Sequence, residues 1–147
     1  MNRKRAIAVS VVGGAALVAA FATPANAANV GLVSAGGSNG TGTVNGNCAY
    51  AISLPATSFD TIPIAFTGEA TAKSNIATVV PISTSIRCYL RNSASGSAGI
   101  TTPGAAAAIA GRGTVDRLAL DPEICTVVSA AFSNGTTIDE TKTCHNL

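Results

Sequence analysis

The chain has 147 residues, 47% of them apolar, and nine basic residues against seven acidic ones give it a formal net charge of +2. Arg3, Lys4 and Arg5 precede an apolar run over residues 6–21, and Ala25-Asn26-Ala27 has the small-x-small pattern of a cleavage site. Residues 1–27 are therefore predicted to be a cleaved secretory signal peptide. Without this signal peptide the chain has six basic and seven acidic residues and therefore a net charge of −1. That balance excludes a composition-based case for nucleic acid or for an anionic membrane surface.

After the leader, the composition divides the chain into two parts. Residues 28–46 contain a candidate first strand and a Gly/Ser/Asn/Thr-rich stretch, which is predicted to be flexible. Residues 47–147 are predicted to form one domain, with no segment long enough to span a membrane after signal cleavage. Many Thr, Ser and β-branched residues favour strands and turns over helices.

Four cysteines in an exported chain predict two disulfides. If Asn134-Gly135 is the centre of a hairpin turn, Cys125 faces Cys144 and Ala131 faces Ile138. A two-residue loop and a four-residue loop in the same register both fit this pairing. Elimination then joins Cys48 to Cys88.

The period-two pattern over residues 82–91 predicts a strand with one apolar face, formed by Ile82, Thr84, Ile86, Cys88 and Leu90. The alanine run at residues 105–110 lies between Pro/Gly breakers, too short for a stable helix, so it is also predicted to be a strand. Short strands at regular spacing with an inter-strand bridge predict an all-β fold. We expect an immunoglobulin-like two-sheet β-sandwich stabilised by two disulfides.

Catalytic residue types are scarce. His145, the only histidine, is two residues from the C-terminus, where a catalytic base is rarely held in place. Oxidised cysteines offer neither a nucleophile nor soft metal ligands. Asp139 and Glu140 are adjacent on a predicted strand and so are expected on opposite faces. These observations predict a protein that is not an enzyme and has no metal or cofactor.

Arg87, Tyr89 and Arg91 alternate along the outward face of the strand at residues 82–91. We call these three residues the arginine stripe. Two guanidinium groups beside a phenol ring can bind an anionic glycan or an acidic loop of a partner protein. The other interpretation is an ordinary solvated face whose charges pair across strands.

Several short segments resemble those of small exported two-disulfide proteins of actinobacteria: Ile86-Arg87-Cys88-Tyr89, Pro103-Gly104 before the alanine run, Ile124-Cys125, and Ala131-Phe132-Ser133-Asn134-Gly135. That group is mostly uncharacterised, so the resemblance implies secretion and no particular activity. The expected function is a non-catalytic extracellular binding or envelope-associated module for an unidentified extracellular ligand or protein.

Two alternatives come from analogy with other secreted proteins. The chain is similar in size, export and disulfide count to enediyne-carrier apoproteins, which implies an apolar cavity between sheet and loops. It is also similar in size to secreted serine-protease inhibitors of the subtilisin-inhibitor type. Residues 93–104 are the most loop-like candidate for the reactive loop that an inhibitor needs.

Overall fold

The computed structural model describes residues 27–53, 60–118 and 120–147, which form strands and turns without a helix. The predicted signal peptide lies almost entirely outside the described residues. The nine strands are β1 (Ala27–Ser38), β2 (Gly42–Ser53), β3 (Thr61–Ser74), β4 (Pro81–Arg91), β5 (Ala94–Ser95), β6 (Ser97–Pro103), β7 (Ala106–Asp116), β8 (Glu123–Phe132) and β9 (Thr137–Asn146). Within the ranges just given, a helix able to cross a membrane is not found.

The strands form two antiparallel sheets. The five-stranded sheet has the order β1-β2-β3-β7-β5, and the four-stranded sheet has the order β6-β4-β8-β9. Alternate residues of each sheet point into one shared core, which includes Phe66 of β3, Ile86 of β4 and Val128 of β8. The all-β prediction is confirmed, as is the strand predicted at the alanine run, which begins β7.

Both predicted disulfide pairings are confirmed. Cys48–Cys88 joins β2 of the five-stranded sheet to β4 of the four-stranded sheet, across the core. Cys125–Cys144 joins the neighbouring strands β8 and β9 within the four-stranded sheet. The first bridge therefore fixes the two sheets to each other, whereas the second reinforces one hairpin.

Aromatic rings at the core lie directly over glycines of the neighbouring strand. Phe66 is paired across strands with Gly111, and a Cβ at Gly111 would lie 2.5 Å from the Phe66 ring. Tyr50 covers its own cross-strand partner, Gly31, in the same way. A chain with few aromatic residues fills its interior because the backbone approaches each ring closely.

The hairpin between β8 and β9 differs from both predicted loop lengths. The Phe132 N–H donates to Thr136 O at 2.9 Å, and Gly135 has a positive φ of 86°, so the loop has three residues. Three-residue hairpins commonly end with a glycine in this conformation. Ala131 consequently faces Thr137 and not Ile138. An extra residue on β9, between the pairs at Val128 and Ala130, restores the register that places Cys125 opposite Cys144.

Residues 28–46, predicted to be a flexible segment with a possible first strand, contain that strand as most of β1, and their second half forms the turn and the start of β2. β1 pairs with β2 almost to the turn, where the Asn39 Oδ1 accepts hydrogen bonds from the N–H groups of Thr41 and Gly42. Val33, Ala35 and Val44 are buried in the core, so side-chain burial as well as backbone hydrogen bonds between β1 and β2 holds this segment.

Ile82 does not join the buried face predicted for it. A bulge at the start of β4 lies between the pairs made by Pro81 and Ser83, and the Ile82 side chain is 52% exposed. The next four members of the predicted face, from Thr84 to Leu90, are buried.

The predicted loop at residues 93–104 is also mostly strand. Its residues form β5 and β6, which pair with β7 and β4. β5 and β6 lie on different sheets, so this segment passes from one sheet to the other.

A buried hydroxyl of the four-stranded sheet binds the edge of the other sheet. Thr126 of β8 is fully buried, and its Oγ1 donates to Val33 O of the edge strand β1 at 2.7 Å. Thr126→Val is expected to lower the free energy of unfolding by about 1–3 kcal/mol, because a buried carbonyl loses its donor. Urea unfolding measures the effect. Thr61→Val, an exposed change on β3, is the control and should stay within about 0.5 kcal/mol; an equally small effect at Thr126 would contradict the assignment.

Candidate functional site

A polar cleft lies on the outer face of the five-stranded sheet. Outward side chains of adjacent strands form two rows, Ser34–Asn47–Glu69 and Gly36–Asn45–Thr71. The cleft they line has a volume of about 420 Å³. We call these six residues the amide cleft. Three hydrogen-bonded strands hold its side chains, so their spacing is set by the sheet.

Small residues keep this cleft open. Gly36 is outward-facing on β1, and a Cβ there would contact the Asn45 amide oxygen. On the other side, Ala108 of β7 is paired with Glu69, and Ala106 with Thr71. Both β7 neighbours have only a methyl side chain, so they do not cover the polar side chains of β2 and β3.

Glu69 supplies the only carboxylate of the amide cleft. Its side chain is half-buried, and Oε2 is shielded from solvent without a hydrogen-bond donor from the described residues. The ion pairs found among the described residues involve other acids, Glu123 and Glu140. Thr67, two residues earlier on the same face, is 1% exposed, and its hydroxyl likewise has no partner there. Buried polar atoms are nearly always paired, so two unpaired ones on the same face of β3 are unusual.

A carboxylate without a partner should weaken the fold. Glu69→Gln is therefore expected to raise the free energy of unfolding by about 0.5–1 kcal/mol, because the half-buried group loses its charge and keeps its shape. Thermal and urea unfolding of the purified protein measure it. Asp60→Asn, an exposed change of the same kind, should have no effect beyond about 0.5 kcal/mol. A clear loss of stability in Glu69→Gln would show that Glu69 has a structural partner.

The arginine stripe lies on the outer face of the four-stranded sheet, where its charges pair within the chain. The Arg87 guanidinium lies 4.8 Å from the centre of the Tyr89 ring, and its Nη2 is 3.9 Å from Glu140 Oε1. The Arg91 Nε donates to Glu123 Oε1 at 2.6 Å. Each guanidinium thus has a carboxylate on a neighbouring or nearby strand, which is the cross-strand arrangement expected of a solvated face.

A second, hydroxyl-rich cleft of about 290 Å³ lies on the same face as the stripe. Ser83, Ser85 and Thr101 line it from β4 and β6, and both Asp139 and Glu140 line it from β9. The prediction that these two acids point to opposite faces is wrong, because the extra residue in β9 interrupts the alternation there.

The side chains of Glu123, Cys125 and Cys144 lie close together, with possible ligand atoms within 4.8 Å of one another. Both sulfur atoms are joined in a disulfide, so this group offers a metal one carboxylate and no thiolate. His145 is exposed on β9, opposite Ile124 of β8.

The amide cleft was not predicted from the sequence. Two signals were present: Asn45 and Asn47 alternate within a Gly-rich stretch, and Glu69 is the only acid between Asp60 and Asp116. Neither signal says that these residues share one face, which depends on the register of β2 with β3. Comparison of the chain with protein-family models, with curated proteins and with solved structures found no match.

Proposed function

We propose that the protein is a secreted, non-catalytic binding module and that the amide cleft is its binding site. The observation that carries this proposal is the set of outward amide, hydroxyl and carboxylate groups that the registers of β1, β2 and β3 bring together in one cleft. A ligand in the cleft can donate to the Glu69 carboxylate and exchange hydrogen bonds with the Asn45 and Asn47 amides. Binding rather than chemistry fits the cleft, because its other side chains are neutral amides and hydroxyls, whereas acid–base hydrolysis needs a second titratable group.

We also propose that the two sheets form an immunoglobulin-like β-sandwich, and that the chain is related to the small exported two-disulfide proteins of actinobacteria that its short segments resemble. The two sheets with a shared core and a bridge between them support this class. Two disulfides indicate an oxidising compartment and support secretion. N-terminal sequencing of the exported chain should begin at Ala28; a chain that keeps the apolar segment would contradict the signal-peptide assignment.

The two alternative functions receive less support from the geometry. A carrier needs an apolar cavity, whereas both clefts described above are lined by polar groups and open onto outer faces. An inhibitor needs an exposed reactive loop, and residues 93–104 are largely paired as β5 and β6. The arginine stripe is a second candidate surface for an acidic partner, but its guanidinium groups already have internal carboxylates.

A ligand screen by NMR tests the binding-module proposal. Isotope-labelled protein is titrated with a mixed library of oligosaccharides, peptides, amines and divalent salts, and the side-chain amide signals of Asn45 and Asn47 are followed. We expect at least one class to shift both signals without shifting that of Asn146, an exposed amide on β9. Hits confined to signals outside the cleft, or a library without any hit, would overturn the assignment of the amide cleft.

A further inference from the structure

We propose that the amide cleft binds a neutral, hydroxyl-rich ligand, an oligosaccharide. This inference rests on the proposed function and adds the chemical class of the ligand. It is carried by the combination of hydrogen-bonding groups that the strand register brings together on one face.

The cleft presents donors and acceptors side by side. Asn45 and Asn47 each offer an amide donor and a carbonyl acceptor, and the hydroxyls of Ser34 and Thr71 act as either. Glu69 only accepts. A sugar hydroxyl both donates and accepts, so neighbouring hydroxyls can bridge a planar amide or carboxylate with two hydrogen bonds. A saccharide can therefore donate to Glu69 and at the same time accept from an asparagine amide.

The floor and the size of the cleft suit such a ligand. Ala35 and Ala70 are buried in the core, so the floor between the polar side chains is formed by Gly36 and by the backbone of the three strands. A sugar ring can lie over this floor between the polar groups. The volume of about 420 Å³ falls within the range of about 300–1,000 Å³ that is usual for small-molecule sites.

Other ligand classes fit this set of groups less well. Calcium takes six to eight oxygen ligands, generally with several carboxylates, and the cleft has one. An ammonium group only donates, so it would leave the amide and hydroxyl donors of the cleft unused. An anion would be repelled by Glu69. A neutral polyol uses both kinds of group.

Titration of the purified exported protein with defined probes tests the ligand class. The saccharide probes are maltopentaose, cellopentaose, mannopentaose and chitopentaose, and calcium chloride and spermidine are run in parallel. We expect at least one pentasaccharide to shift the Asn45 and Asn47 side-chain signals, and Glu69→Gln and Asn47→Ala each to raise its Kd about tenfold or more. Asp60→Asn and Asn146→Ala are matched controls on exposed residues outside the cleft and should leave Kd unchanged.

The outcomes separate this inference from the proposed function. If calcium chloride or spermidine shifts the cleft signals and no pentasaccharide does, the saccharide inference is overturned and the binding module stands. If a pentasaccharide shifts signals near Arg87 and leaves the cleft signals unmoved, the cleft is overturned as the saccharide site. Saccharide binding that Glu69→Gln and Asn47→Ala leave unchanged would also refute the saccharide inference. Because Glu69→Gln is expected to be folded and more stable than the wild-type protein, misfolding cannot account for a loss of binding in this variant.

Discussion

Replacing Cys48 and Cys88 together by alanine is expected to lower the free energy of unfolding by about 4 kcal/mol or more. The chain-entropy estimate for a loop closed over 40 residues is about 4 kcal/mol. Both residues are fully buried, so removal of the sulfur atoms also leaves a gap between the sheets. Gly68 lies opposite Cys48, and a Cβ there would lie 2.6 Å from Cys88 Sγ, so the glycine leaves room for the bridge.

Equilibrium unfolding in guanidinium chloride under non-reducing conditions measures this loss. The comparison is the Cys125→Ala/Cys144→Ala variant, whose bridge closes a loop of 19 residues within one hairpin. The same estimate gives about 3 kcal/mol for that bridge. Because the neighbouring strands β8 and β9 stay hydrogen-bonded without it, the hairpin bridge should matter less. Equal losses, or a larger loss for the hairpin bridge, would contradict the role assigned to the inter-sheet bridge.

Replacing Phe66 by alanine is expected to lower the free energy of unfolding by about 3–5 kcal/mol. The ring is fully buried at the centre of β3 and lies over Gly111 of β7. No side chain at Gly111 can close the space that the ring leaves. Phe66→Leu keeps most of the apolar volume and should cost about 1.5 kcal/mol. Urea unfolding of the two variants gives both values.

A second substitution tests whether ring and glycine act as a pair. Gly111→Ala should destabilise the wild-type protein, because its Cβ would lie within 2.5–2.8 Å of the Phe66 ring. In the Phe66→Leu background the smaller side chain leaves room, so the cost of Gly111→Ala should fall. The same cost in both backgrounds would show that the ring and the glycine are not coupled.

Some of the candidate sites follow from local sequence pattern and others do not. The outward placement of Arg87, Tyr89 and Arg91 follows from alternation in a strand whose other face is buried. Their pairing with Glu123 and Glu140 does not, since those acids are more than 30 residues away along the chain. The interpretation of the stripe depends on that pairing, because it shows that the guanidinium groups already have partners.

The β8–β9 hairpin shows how a local pattern can predict a contact and miss its geometry. Asn134-Gly135 indicated the turn, and the pairing of Cys125 with Cys144 is confirmed. The loop has three residues, and the extra residue in β9 compensates for the odd loop length. The three-residue loop shifts the register by one residue and the bulge in β9 shifts it back, so Cys125 faces Cys144. The same bulge places Asp139 and Glu140 in one cleft. Nothing in the alternation of side chains signals a bulge in advance.

By itself, the sequence determined that the chain is all-β, which face of β4 is buried beyond its bulge, and which cysteines pair. Those properties follow from local sequence, that is, from the alternation of apolar and polar residues and from the turn at Asn134-Gly135. Only the tertiary structure decided that Ser34, Asn47 and Glu69 form one row, and that Glu69 has no donor among the described residues. A row across a sheet depends on the registers of three strands, and a shift of one residue in either pairing would move its members to opposite faces.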